Sequence, residues 1–162
     1  MFSRLVSPED AVYLLNLKSR GALDDAIAAG SVQPAPGPKE QRFRVEDLVL
    51  YKLARVFEEI GVEKRKASRY ADAVLTPRLQ EHESTATDWI EDEAQELFCL
   101  ISDNQLARIF LRNREDLKEI DVGAVKPVLL PTRTCEINVF RVIRPVVYRA
   151  RQMFGEKRPE RP

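Results

Sequence analysis

The chain has 162 residues, 44% of them hydrophobic, with six glycines, enough to bury a core and fit one medium domain or two small ones. Its 26 basic and 26 acidic residues cancel, so overall charge gives no support to nucleic-acid binding and only local patches can. The longest apolar runs fall far short of the roughly 20 residues that span a bilayer, and the first ten residues hold no signal-peptide core, so a cytoplasmic protein without membrane contact is expected.

The charge is segregated. Residues 1–75 hold 12 basic and 11 acidic side chains, residues 76–131 hold 6 and 12, and residues 132–162 hold 8 and 3. The acidic stretch 91–96 and the arginines Arg141, Arg144, Arg149 and Arg151 are therefore expected to pair, within the chain or across a dimer.

In chain order, Ser7-Pro8-Glu9-Asp10 predicts a helix start. Ser7 can cap, Pro8 suits the first position, and two carboxylates meet the positive end of the helix dipole. Ala11, Leu14 and Leu15 continue it at helical spacing until residues 18–21 break it. A second helix over residues 22–29 buries Leu23, Ala26 and Ile27 and stops at Gly30.

Three prolines and a glycine between Ser31 and Arg44 then forbid a helix and predict an extended, exposed arm. A third helix starts at Glu46-Asp47, carries Val49, Leu53, Val56, Phe57 and Ile60 on one face, and ends at Gly61. A fourth repeats this with Ala67, Tyr70, Ala71, Val74 and Leu75. Its cations Lys64, Arg65, Lys66 and Arg69 are most simply a solvated surface.

Thr76-Pro77 predicts the end of this module, followed by a polar linker over residues 77–88. Beyond it, residues 89–96 read as a short acidic helix. Residues 97–101 and 106–111 flank Ser102-Asp103-Asn104-Gln105 as a hairpin with a four-residue loop, with one continuous helix as the rival reading. Residues 125–130 and 134–143 predict further strands, and Pro145 predicts the start of a last helix through Phe154, before a flexible tail over 156–162. The expected fold class is α+β, divided into residues 1–76, the linker, and 89–155.

Chemical motifs are sparse. Cys99 and Cys135 lie in apolar strand-like runs without a CxxC partner and are expected to be buried reduced thiols. His82 is the one histidine, set between two glutamates in the expected linker, far from the ligand set a metal requires. Trp89 and Phe98 are expected as core anchors. With no phosphate loop, nucleophile elbow or paired-carboxylate arrangement, neither enzymatic activity nor a cofactor is expected.

Residues 5–75 together resemble the winged helix-turn-helix DNA-binding domain of the MerR superfamily, which includes excisionase-like modules. The resemblance rests on Ala28-Ala29-Gly30-Ser31-Val32-Gln33-Pro34 after the second helix, on Arg42-Phe43-Arg44-Val45-Glu46-Asp47-Leu48 as wing strand and helix start, and on Ile60-Gly61-Val62 before the last helix. It implies that residues 8–29 form the helix-turn-helix, with the second helix in the major groove and the wing on flanking phosphates. A basic wing suits that role, and Lys39, Arg42 and Arg44 supply one.

The second helix offers Asp24 and Asp25 but none of the side chains that usually read bases. Lys18, Ser19 and Arg20 at its entrance are the candidates instead. The resemblance implies a transcriptional regulator on double-stranded DNA, expected to work as a homodimer. Its C-terminal domain is expected to dimerise it or to hold a protein partner, as in an antitoxin; a metal- or drug-sensing role is not expected. The rival reading is an interaction or scaffold protein that keeps the helix-turn-helix as a packing unit.

Overall fold

The computed structural model describes residues 1–37, 41–82, 85–92, 94–123 and 131–155. The fold is α+β: among these residues there are six helices, a two-stranded antiparallel sheet and a four-stranded antiparallel sheet. The chain divides into two compact units, Met1–Lys52 with Pro145–Pro162, and Leu53–Arg144. The expected division is into 1–76 and 89–155, whereas the described residues from Pro145 on group with Met1–Lys52.

In the first unit, strand β1 (Leu5–Val6) pairs antiparallel with β2 (Phe43–Arg44), setting Val6 opposite Phe43. Helix α1 (Pro8–Leu15) begins as its sequence dictates. The Ser7 hydroxyl oxygen accepts from the Asp10 backbone N–H at 3.1 Å, and the Asp10 carboxylate accepts from the Ser7 N–H at 3.2 Å. Asn16 ends it in the left-handed conformation, φ 55°.

Helix α2 (Arg20–Ala28) starts two residues earlier than expected, because Ser19 is its cap. Gly30, at φ +67°, then turns the chain so that the Ser31 N–H reaches the Ala26 carbonyl at 2.9 Å. Leu14, Leu23 and Phe43 are fully buried.

Helix α3 (Val45–Glu59) crosses the boundary between the units and closes at Gly61, φ +98°, with the Val62 N–H on the Phe57 carbonyl at 3.0 Å. Helix α4 (Lys64–His82) then overturns the expected linker. It runs through Pro77, which cannot donate to the Ala73 carbonyl. Arg78 makes good the loss: its Nη1 donates to the carbonyls of Ala73 and Val74, each at 3.1 Å, and its Nη2 to that of Val122. Arg78 is only 5% exposed, and burial lowers its pKa from the ordinary arginine value.

Helix α5 (Ala86–Glu91) precedes β3 (Gln95–Ser102), so the acidic helix expected over 89–96 is shorter, and Glu96 lies in a strand. Strand β4 (Gln105–Asn113) pairs with β3 as a hairpin, which excludes the continuous helix. The loop is tighter than four residues: Ser102 pairs with Gln105, leaving Asp103 and Asn104 at φ 48° and 62° as a two-residue turn. The Asp103 carboxylate accepts from the Thr132 hydroxyl at 2.8 Å and the Arg133 N–H at 2.9 Å, which holds its pKa below the ordinary carboxylate value.

Strand β5 (Glu119–Asp121) and strand β6 (Thr134–Asn138) complete the order β5-β4-β3-β6. Alternation gives this sheet two unlike faces. Leu97, Cys99, Ile101, Ile109 and Ile137 share one and are buried. On the other, Phe98 and Phe110 stack at 5.5 Å under Arg112, which bonds Glu119 at 2.7 Å and Glu136 at 2.8 Å.

The strand expected over 134–143 stops at Asn138, where helix α6 (Val139–Met153) begins. The Asn138 side-chain oxygen accepts from the Arg141 N–H at 3.0 Å, a cap that starts the helix six residues before Pro145. Pro145 lies instead within the helix, on an exposed stripe with Arg141, whose carbonyl can turn to water. The strand expected over 125–130 and the tail 156–162 lie outside the described residues.

Other expectations change with these elements. His82 ends α4 and stacks on Trp89 at 4.2 Å, and Trp89 meets Phe140 edge-on at 4.7 Å. Trp89 and Phe98 are half-buried rather than central core anchors. Cys99 is buried and its thiol is pushed up, by burial first, whereas Cys135 is half-exposed; both are free.

Candidate nucleic-acid interface

The first unit places the six candidate residues in different circumstances. Lys18 is exposed in the turn between α1 and α2. Ser19 adopts φ −161° and ψ 166°, and its hydroxyl oxygen accepts from the Ala22 N–H at 3.4 Å, so its role is to start α2. Lys39 lies outside the described residues.

Arg42 and Arg44 flank Phe43. In a strand, successive side chains point to opposite sides, so burial of Phe43 at 0% exposure turns both arginines outward, and both are exposed. Across the arm that precedes them, the Ala35 N–H donates to the Arg42 carbonyl at 2.7 Å. At the far side, the Arg44 N–H donates to the Asp47 carboxylate. Burial raises the Asp47 pKa above its ordinary value, an effect opposed by the Arg44 charge and by that hydrogen bond.

Arg20 is engaged by three partners. Its Nε donates to Asp24 at 2.9 Å, its Nη1 to Glu9 at 3.4 Å and its Nη2 to Gln41 at 2.9 Å. The structure thus brings the entrance of α2 to the end of the arm. Gln41 is the member that sequence reasoning missed, and no local signal marks it, since it meets Arg20 across 21 positions. The i, i+4 spacing of Arg20 and Asp24 was readable.

With Arg20 neutralised, α2 presents exposed Asp24 and Asp25. Among the described candidates, Lys18, Arg42 and Arg44 are the exposed cations. In the second unit, Lys64, Arg65, Lys66 and Arg69 are all exposed along α4. Among the described residues, no group of three or more His, Cys, Asp or Glu side chains could hold a metal ion. No helix searched is long and apolar enough to cross a membrane. No protein-family model matches the chain, and neither does any curated protein.

Proposed function

We propose that the chain is a cytoplasmic DNA-binding regulator, built on a MerR-like winged helix-turn-helix over residues 1–76. It acts as a homodimer on double-stranded DNA, and residues of its second half dimerise it or hold a protein partner, as in an antitoxin. The observation that carries this reading is the exposed pair Arg42 and Arg44 on either side of buried Phe43, where the arm leads into β2. Two guanidinium groups held outward by a buried anchor suit phosphate contacts, which fix register without reading sequence.

Replacing Arg42 and Arg44 together by Ala tests it. On duplexes of unrelated sequence the double variant is expected to bind more weakly, and its log–log salt dependence to flatten by about 2, one per lost phosphate contact. An unchanged slope would remove this strand from the interface.

A second reading has its own observation. With Arg20 tied to Asp24 and Glu9, and Asp25 exposed, α2 suits a basic protein surface better than a phosphate backbone. On that reading the helix-turn-helix is a packing and docking unit for a protein partner. Duplex binding separates the two.

A further inference from the structure

Arg20 occupies an unfavourable place. A cation in the first turn of a helix faces the positive end of the dipole, where a carboxylate would be stabilised. Its side chain is 40% exposed, and α2 has no acidic residue in its first turn. Three separate elements nonetheless converge on its guanidinium: Asp24 from α2, Glu9 from the first turn of α1, and Gln41 from the end of the arm. Nε, Nη1 and Nη2 each donate to an oxygen, two of them carboxylate oxygens, so the guanidinium is held by the same kind of charge-assisted hydrogen bond that a phosphate oxygen would offer.

We propose that Asp24 and Glu9 act as an internal substitute for a phosphate, holding Arg20 in reserve, and that Arg20 passes from them to the DNA backbone on binding. This rests on the DNA-binding reading above. Both carboxylates are exposed, Glu9 at 80% and Asp24 at 54% of the side chain, and ion pairs in that setting hold their partners weakly. Exchange is therefore cheap. Gln41 gives the exchange a second consequence: the guanidinium that lets go of the carboxylates is also the one that fastens the arm near Arg42. Arg20 is in this sense a positioning residue for the arm as well as a phosphate contact.

The arrangement also accounts for the acidic second helix. Asp24 lowers affinity for any duplex, so that binding becomes appreciable only where the remaining contacts make up the difference. Carboxylates here act as a threshold, which raises discrimination at the expense of affinity.

A double-mutant cycle tests the proposal on the full chain. Affinity for one duplex is measured for the wild type, for Arg20→Ala, for Asp24→Asn with Glu9→Gln, and for the triple variant, with circular dichroism to verify folding. All three positions lie on the surface, so the variants are expected to fold. Held in reserve, Arg20 contributes little in the wild type, and Arg20→Ala changes affinity less than about threefold. In the background without the two carboxylates it is free to engage, and its loss costs tenfold or more.

Equal losses in the two backgrounds would overturn the proposal while leaving DNA binding intact, because the carboxylates would then act only by general repulsion. Absence of duplex binding by every variant at low salt would instead bring down the DNA-binding reading, and this inference with it.

Discussion

Replacement of Glu96 by Ala is expected to destabilise the protein by about 4 kcal/mol, the range for removing one partner of a buried ionic network. Glu96 sits in β3 with its side chain 9% exposed. Its carboxylate accepts from Arg144 Nη1 at 2.8 Å, from Arg114 and from the Asn138 amide. Arg144 loses a charged partner at a side chain only 23% exposed, while it still donates to the carbonyls of Ile90 and Asp92, both at 2.7 Å. Arg114, at 47% exposure, can turn to water and loses little. Asn138 loses an acceptor at the residue that caps α6.

Glu96→Gln separates charge from shape: it fills the same space and still accepts, so it should show about half the loss. Urea unfolding measures both variants, with a lower midpoint and an unchanged slope expected. A loss below about 1 kcal/mol for Glu96→Ala would show that the network is not a stabilising hub.

Arg78→Met comes next, at about 3 kcal/mol, because it keeps the bulk of the side chain but removes the donors from three carbonyls. The Ala73 carbonyl, which Pro77 leaves without a backbone donor, and that of Val122 accept from this one guanidinium, and that of Val74 accepts from it as well. The claim that Arg78 compensates for Pro77 has a sharper test. In Pro77→Ala the backbone N–H returns to the Ala73 carbonyl. In the wild-type background that carbonyl already has a donor, so the gain is small; in Arg78→Met it has none, so the gain is larger. Four unfolding curves give the cycle, and a coupling of about 1 kcal/mol or more is expected. Equal gains in the two backgrounds would contradict the compensation.

Pro77 and Pro145 show where a reading of the sequence stops. Proline is a sound helix breaker when only neighbours are considered, but the residue that rescues α4 does so while bonded to Val122, 44 positions away. At residues 134–143 the error lay in period. Cys135, Ile137 and Val139 alternate as a strand does, while Val139, Phe140 and Ile143 equally fit a helix, and the cap at Asn138 decides between them. Where the signal is local, it held: Gly30 and Gly61 end their helices in left-handed conformations, and the paired apolar runs around Asp103-Asn104 form a hairpin.

The pairing of the acidic stretch with the C-terminal arginines was legible in kind: Arg144 meets Glu96, while Arg149 donates to the Leu14 carbonyl at 3.0 Å. At the candidate interface, the outward turn of Arg42 and Arg44 follows from one buried Phe43. The occupation of Arg20 does not, since it needs a helix, a neighbouring helix turn and the end of the arm to meet at one side chain.

The central claim is that the first unit binds duplex DNA through exposed cations. Binding of the wild-type chain to random-sequence duplex DNA, measured at two salt concentrations, tests it most directly. Measurable binding at low salt that falls steeply as salt rises is expected; no binding even at low salt would contradict duplex binding.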